Sequence, residues 1–327
     1  MGAATAALDL TTTLTPEMQL YYETTFLERA QAEQVYSFLT EGSRTSIPKN
    51  GGKSVAFTRQ TAYTPSTGGL TEGQNPTGTP FTSTTISATV VEHGNYSPFS
   101  SLFQLTTIDK GLEEKIETMG QYAGDEMDMT LLYSMVGGGT RQYAGAGGLT
   151  GVGATDVMTV ASLRKAVKTL KLANAPKFGA PAGKVTGGAY RAVINTYDWY
   201  NLMGDSSQAN FTSINQYASP EGVNQIKDQE IKRLAGVDCV ESNRAYSLAT
   251  LGASSSDTGY ISFVAGKGAV GEVDIDGDVK PRIIFNDVTS GGVANPLQMF
   301  GTVGWKVDGY VAKVLNSTWL IEMVHRP

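Results

Sequence analysis

The most regular pattern along the chain lies between positions 109 and 136, where apolar or small residues recur every three or four positions. This spacing places them on one side of an amphipathic helix, with acidic side chains on the other sides. Asp109 is a suitable N-cap, and three consecutive glycines follow the last apolar residue. We therefore predict one long helix over 109–136, called the spine helix below. Its apolar side carries Leu112, Ile116, Met119, Ala123 and Met127.

Two weaker patterns precede the spine helix. Thr15 and Pro16 form a typical helix start, which predicts a helix from 16 to about 39. Further on, residues 54–60 and 82–91 alternate as strands do, and the segment 61–80 between them is rich in Gly, Pro and Thr. Loops of this length are uncommon inside compact domains and are usually functional or disordered. The sequence therefore predicts a long hairpin over 49–91 that protrudes from the body.

The pattern after the spine helix changes from helical to extended. Thr159 starts a second helix that stops near Asn174, and 190–195 and 197–203 are predicted as a buried strand and a short helix. From Gly236 onward the chain alternates in the way typical of strands. Predicted strands cover 237–241, 260–265, 270–275, 282–285, 300–315 and 319–324. Helices early and strands late favour an α+β fold over a wound α/β sheet.

Composition and charge narrow the range of functions that the chain can have. The balance of 25 basic and 31 acidic residues gives a net charge of −6, and no basic cluster stands out, so tight binding to nucleic acid is not expected. Cys239 is the only cysteine, which excludes an internal disulfide and a cysteine-based zinc site. No basic segment precedes an apolar run at the N-terminus, and no apolar run is long enough to span a membrane. These features predict a soluble, cytosolic protein without membrane partners.

Candidate chemistry is sparse. Residues 266–271 fit the G-x-G-x-x-G pattern of nucleotide-binding loops, but the sequence continues as a strand where a helix is required, so a hairpin turn is favoured. Asp274 opens an acidic series that lacks the glycine and glutamate of a calcium loop, which favours a solvated acidic turn. The carboxylates of the spine helix are spaced as a solvated face. His93 and His325, the only histidines, are predicted at the surface.

The remaining candidates are structural. Cys239 lies between apolar strand residues and is expected to be a small buried side chain. Trp305 and Trp319 fall in two predicted strands with apolar neighbours, so both are expected in one core. No nucleophile elbow, zinc-protease motif or phosphate-binding loop occurs. The sequence therefore predicts no catalytic, cofactor-binding or metal site, and no enzyme.

The order of these parts resembles the tailed-bacteriophage major capsid proteins whose fold is named after phage Hong Kong 97. The residues resemble one family among them, the major capsid proteins of the N4-like phages, over about 16–324. The matching segments are FLERA at 26–30, IPKNGGK at 47–53, LTEG at 70–73, GQYAGD at 120–125, LAGV at 234–237, GTVGWK at 301–306 and AKVLN at 312–316. Gln60 and the Gly and Thr tract at 137–153 depart from the family pattern.

The resemblance implies a shell protein with four parts. These are an N-terminal arm (1–48), an E-loop hairpin (49–91), a peripheral domain (92–155 and 295–327, with Trp305 and Trp319 in its core) and an axial domain (156–294). The arm and the E-loop would contact neighbouring subunits. Residues implied at these contacts are Arg29, Lys49, Gly51, Gly52, Lys53, Phe57, Arg59, Leu70, Glu72 and Gly73.

The resemblance also implies partners and a location. The chain would form the hexamers and pentamers of an icosahedral capsid in the virion, assembled in the cytoplasm of a host bacterium. Portal, scaffolding and cementing proteins are the implied partners, and packaged DNA would be contacted only weakly and without sequence specificity. An inward-facing acidic spine would repel that DNA. Competing classes are the shell of an enzyme compartment with a related fold, a surface-layer protein or adhesin, and an enzyme.

Capsids of this type can be locked by isopeptide bonds between an E-loop lysine and an asparagine of a neighbour. This chain has no lysine between Arg59 and Glu92, and Lys53 lies at the base of the hairpin. The sequence therefore predicts a shell held together without covalent cross-links.

Overall fold

The computed structural model describes most of the chain, with gaps at the N-terminus and in several loops. The described residues are 24, 26–30, 34–60, 69, 72–73, 80, 82–106, 111–145, 147–153, 155–179, 188–204, 232–251, 257–275, 281–288 and 297–327. Asp109, Leu70 and most of the predicted hairpin tip lie outside them, as do residues 1–23 of the predicted arm.

The described elements are mostly strands, and one long helix lies before the middle of the chain. The helices are α1 (Ser101–Thr106), α2 (Gly111–Met135), α3 (Val160–Leu172) and α4 (Thr196–Gly204). The strands are β1 (Arg44–Ile47), β2 (Ser54–Gln60), β3 (Ser83–Thr89), β4 (Val91–Ser100), β5 (Thr140–Tyr143), β6 (Tyr190–Asn195), β7 (Lys232–Leu234), β8 (Val237–Ser242), β9 (Tyr246–Leu251), β10 (Asp257–Ala265), β11 (Val270–Ile275), β12 (Arg282–Asn286), β13 (Phe300–Val314) and β14 (Leu320–His325). Tight 3₁₀ turns form at Tyr36–Leu39, Gly148–Gly151 and Ser317–Trp319.

The predicted spine helix is present as α2, and it connects two separate cores. Along its first half the side chains of Ile116, Met119, Ala123 and Met127 are buried against β13. Its last turns bury Leu131, Leu132 and Met135 against a different sheet. Since α2 contributes to both clusters, it fixes the two sheets relative to one another. Leu112 lies within α2, but its side chain is outside the described part.

The first core lies under a five-stranded sheet centred on β13. This long strand pairs antiparallel with β4 along one edge, and with β12 and then β11 along the other. Strand β1 adds in parallel to β11. Alternate residues of β13 point inward, so Val303, Trp305 and Val307 pack against α2, while Lys306 and Asp308 lie on the outer face.

The second core lies around a seven-stranded sheet in the order β5-β14-β10-β6-β8-β7, with β9 also paired to β10. Its central strands are buried on both faces. One face packs Val193, Phe263 and Val324 against the end of α2, and the other packs Ala192 and Ile321 against α3. Helix α3 begins at the capping box of Thr159 and Ser162, where the sequence predicted its start.

The two sheets divide the chain differently from the predicted domains. The segment 295–327 was assigned to one domain, but β13 belongs to the five-stranded sheet and β14 to the seven-stranded sheet. Strands β11 and β12, predicted with the axial domain, pair with β13. Strand pairing depends on contacts between distant segments, which the hydrophobic pattern of each segment does not specify.

Two local predictions are wrong for identifiable reasons. Trp319 is not in a strand beside Trp305: it lies in the 3₁₀ turn before β14, packs against both clusters of the seven-stranded sheet, and donates its indole N–H to Ala173 O at 3.1 Å. The helix predicted to reach about residue 39 is interrupted, because Gln34 and Val35 are not helical. The N–H groups of Val35 and Tyr36 donate instead to Asp128 Oδ1, at 2.9 and 2.7 Å.

Candidate assembly surfaces

The predicted hairpin is formed by β2 and β3, which pair antiparallel from Ser54 opposite Thr89 to Gln60 opposite Ser83. Most side chains of both strands are exposed. Among the described residues, neither strand pairs with a third one. A two-stranded ribbon buries too little surface to be stable alone, so it depends on its attachment to the body or on contacts with another chain.

The hairpin is attached to the body by a small apolar cluster at its base. Ile47, Ala88 and Val90 are buried there with Val273 of β11, and Phe57 packs partly against them. The turn from β1 into the hairpin is fixed by a hydrogen bond of 2.8 Å from Gly51 N to Pro48 O. The cluster therefore anchors one end of the ribbon and leaves the other end to extend away from the five-stranded sheet.

The predicted contact residues of the hairpin are mostly exposed in the single chain. Phe57 is half-buried, and Leu70 lies outside the described residues. Those that are exposed are Lys49, Gly51, Gly52, Lys53, Arg59, Glu72 and Gly73. Exposure leaves these groups available to another subunit without establishing a contact, so their role in assembly stays a prediction.

Arg29, the predicted contact residue of the arm, lies against the spine of its own chain. Phe26 and Ala30 in the same segment are almost fully buried. A Cβ at Gly120 would come within 2.7 Å of Phe26 O and 3.3 Å of Arg29 Cβ. The absence of a side chain at Gly120 therefore lets residues 26–30 pack directly on α2.

A polar network fastens the next part of this N-terminal segment to α2. Asp128 accepts the two amide hydrogen bonds from Val35 and Tyr36, and Arg244, between β8 and β9, pairs with Asp125 and lies 3.8 Å from Asp128. Tyr36 in turn donates its hydroxyl hydrogen bond to Arg244 O. Burial raises the pKa of Asp128 to about 6. The sequence predicted that Asp128 belongs to a solvated acidic face of the spine helix. This prediction is wrong, because Asp128 is buried.

A second surface lies on the outer face of the five-stranded sheet. Gly304 is paired between Tyr96 of β4 and Ile284 of β12, and both neighbours are exposed. A Cβ at Gly304 would lie 2.9 Å from Tyr96 Cβ, so the glycine leaves a shallow trough between two apolar side chains. At the start of β13, Leu297, Met299 and Phe300 are also exposed. The hydrophobic pattern of the sequence does not predict this surface, because it is formed by the pairing of β4 and β12 with β13.

A buried polar cluster lies between α4, β10 and the end of β14. Ser262 Oγ donates to Asp198 Oδ2 at 2.7 Å, and His325 Nδ1 lies 3.8 Å from the same oxygen. His325 was predicted at the surface and is fully buried, because its strand is central in the sheet. Burial raises the pKa of Asp198 to about 7 and lowers the pKa of His325 to about 4. Both shifts favour the neutral forms.

We expect Asp198→Asn to become stabilising, relative to the wild type, as the pH rises. The folded wild type holds the Asp198 proton to a higher pH than the unfolded chain, so this contribution to stability is complete below about pH 4 and is lost as the pH rises through about 7. Asparagine keeps an oxygen acceptor for Ser262 and cannot ionise. Urea unfolding at pH 4.5, 6 and 8 should show the difference growing by about 2–4 kcal/mol in favour of the variant. If the variant instead becomes less stable relative to the wild type as the pH rises, Asp198 is ionised in the folded protein and paired with His325.

The described residues offer little for metal or membrane binding. They contain no group of three His, Cys, Asp or Glu side chains that could hold a metal ion. None of the helices in this part of the chain is both long and apolar enough to cross a membrane. Asp274, predicted in a solvated turn, is buried in β11, and Cys239 is buried in β8 as expected. Burial raises the pKa of the Cys239 thiol to about 12, which leaves it unreactive as a nucleophile.

The sequence matches no protein-family model and no curated protein. The structure, by contrast, is similar to solved phage capsids over most of its length. The capsid of Ralstonia phage GP4 superposes with a TM-score of 0.65 at 13% identity, covering 86% of this chain and 86% of that chain. The capsid of cyanophage Pam1 superposes with a TM-score of 0.64 at 14% identity, covering 84% of this chain and 85% of that chain. The capsid of Helicobacter pylori bacteriophage KHP30 superposes with a TM-score of 0.64 at 12% identity, covering 90% of this chain and 92% of that chain.

The chain therefore has the α+β fold of phage capsid proteins of the Hong Kong 97 type. Its hairpin and its spine helix are parts that the resemblance in sequence implied. The narrower resemblance to the N4-like family stays a prediction.

Proposed function

We propose that this chain is the structural major capsid protein of a tailed bacteriophage, which assembles into the hexamers and pentamers of an icosahedral head around double-stranded DNA. The observation that carries the proposal is the nearly complete mutual coverage between this chain and phage capsid subunits. The role is structural, and no catalysis is needed.

The exposed surfaces support self-association. A hairpin anchored at one end can lie over a neighbouring subunit, where it would bury side chains that are exposed in the single chain. The trough at Gly304 and the apolar residues at the start of β13 add exposed apolar area, which marks protein–protein contacts when it is contiguous. Subunits joined through such unlike surfaces close into rings, as hexamers and pentamers require.

The finer assignments rest on the resemblance to the phage family. We propose that 49–91 acts as the E-loop, that residues before 49 act as the arm, and that the five- and seven-stranded sheets form most of the peripheral and axial domains. Portal, scaffolding and cementing proteins would be the other partners, and assembly would take place in the cytoplasm of the host. An enzyme-compartment shell with a related fold is the second candidate, and it would differ by enclosing protein instead of DNA.

Sedimentation velocity of the purified full-length chain tests the proposal. Assembly should produce a fast-sedimenting population of uniform particles at raised protein concentration, in addition to free subunits. If only the 34.7 kDa chain is present at every concentration and salt condition, the proposal of a shell-forming protein is wrong.

We expect these particles to contain no covalent cross-links. The described part of the hairpin offers no lysine beyond Lys53, which is exposed at the hairpin base, and Cys239 is buried. Particles boiled in detergent without reductant should therefore give a single band near 34.7 kDa. A ladder of multiples that survives reductant would contradict this, and loss of the ladder in Lys53→Arg would then identify the donor.

A further inference from the structure

The exposed side of α3 carries a cluster of basic residues. In the sequence, no acidic residue occurs between Asp156 and Asp198, while seven basic residues do, in a chain whose net charge is −6. Four of them lie on α3 and are exposed: Arg164, Lys165, Lys168 and Lys171. The cluster is not evident in the sequence, because buried apolar residues alternate with the basic ones along the helix. Only the helix geometry brings the basic residues together on one side.

Helix geometry gathers these four residues into one row. At 100° per residue, Arg164, Lys168 and Lys171 fall within about 60° of each other and Lys165 lies next to them, over a rise of about 10 Å. The opposite side of α3 is buried on the seven-stranded sheet through Leu163, Val167 and Leu170. The row is therefore held on a rigid element and faces away from the body.

The lysines of this row are not engaged in ion pairs with the described part of the chain. In the part of the chain that the structure describes, no ion pair joins Lys165, Lys168 or Lys171 to an acidic side chain. A groove beside the row separates α3 from β5 and is lined by Lys165, Thr169, Arg141, Gly147 and Gly148. A phosphate backbone that runs along the row of basic residues would place one of its edges in this groove.

The composition of the face favours a polyanion over a protein partner. The cores of protein–protein interfaces are enriched in aromatic residues, Met and Arg, and depleted in Lys. Here three of the four charged positions are lysine, and the other positions on the exposed side include Ala161, Thr169 and the exposed Leu172 at the end of the helix. Lysine and arginine at helical spacing are typical of contacts to the phosphate backbone, which fix position without reading sequence.

We propose that the exposed face of α3, with Arg164, Lys165, Lys168 and Lys171, contacts the phosphate backbone of duplex DNA. The inference rests on the proposed function, because it places this face on the interior of the shell. The resemblance to phage capsid proteins implied only weak contact with DNA that is independent of sequence, and the proposal assigns that contact to this face. The contact is independent of sequence, and each subunit adds a small contribution that the shell repeats many times.

The test compares two triple variants that change the net charge equally. One is Lys165→Gln, Lys168→Gln and Lys171→Gln on α3, and the other is Lys267→Gln, Arg282→Gln and Lys313→Gln at exposed positions elsewhere. Glutamine has nearly the helix propensity of lysine, so α3 should remain folded. Binding of unassembled protein to a fluorescein-labelled 30-bp duplex is followed by anisotropy between 50 and 200 mM salt.

If the three lysines meet phosphates, the wild type should lose about fortyfold more affinity than the α3 variant over that salt range, since each contact adds about 0.9 to the salt slope. The other variant should keep the wild-type slope. Equal losses in both variants, or no binding by the wild type at 50 mM salt, would overturn the proposal. So would an α3 variant that binds DNA normally but no longer assembles, since the face would then meet an acidic surface of a second copy. Sedimentation of the same samples reports separately whether shells form.

Discussion

Removal of residues 62–80 is expected to abolish shell assembly and to leave the subunit folded. The pairing of β2 and β3 ends with Gln60 opposite Ser83, so the deletion leaves a three-residue connection, which is an ordinary hairpin loop. The apolar cluster of Ile47, Ala88, Val90 and Val273 at the base is untouched. The described residues of the deleted segment, 69, 72, 73 and 80, are exposed, so the deletion removes no buried side chain among those that the structure describes. Between chains it removes the part of the hairpin that can reach a neighbour.

The measurements are thermal melting for folding and sedimentation for assembly. The deleted chain should melt cooperatively near the wild-type temperature and sediment only as small species. A control that replaces 62–80 with a Gly and Ser segment of equal length separates loss of side chains from loss of length. Normal shells of normal stability from the deleted chain would show that the hairpin does not interlock neighbouring subunits.

Truncation of Trp305 to alanine should destabilise the subunit by about 3–5 kcal/mol, a large part of the stability of a typical domain. Trp305 is 2% exposed, and it packs with Val303 and Val307 against the first half of α2. Its loss would leave a cavity between the spine and the five-stranded sheet. Denaturant unfolding measures the effect, and a loss below about 1 kcal/mol would contradict the placement of Trp305 in this core.

Phenylalanine substitutions provide a matched control. The indole N–H of Trp305 has no hydrogen-bond acceptor among the described residues, whereas that of Trp319 donates to Ala173 O. Trp319→Phe should therefore lose the hydrogen bond, worth about 1 kcal/mol, in addition to the change in volume. Trp305→Phe should lose only the volume. A larger loss in Trp305→Phe than in Trp305→Ala would indicate misfolding instead of a cavity.

The sequence predicted those elements whose pattern is long or clearly bounded. Helix α2 has several turns of one periodicity and a glycine stop, and α3 has a capping residue at Thr159, so both were predicted nearly to the residue. The long strand β13 alternates between more and less buried positions over much of its length. The hairpin followed from two such strands around a segment without core residues. These signals are local, which is why one sequence suffices to read them.

Features that depend on distant contacts were not predicted. Strands β1, β5 and β7 are only three or four residues long and are defined by their pairing partners. His325 and Asp128 were expected at the surface because their residue types usually are, but the final register of β14 and the approach of Tyr36 to α2 bury them. The basic face of α3 is visible only after the helix is placed on its sheet.

A closed icosahedral shell is the assembly that we propose for this chain. Electron microscopy of the purified full-length protein, under the conditions in which fast-sedimenting particles form, shows whether it forms. We expect thin-walled shells of uniform size that are built from hexamers and pentamers, with the hairpin of each subunit lying over its neighbour. Compact monomers, or irregular aggregates without rings, at all concentrations would contradict it.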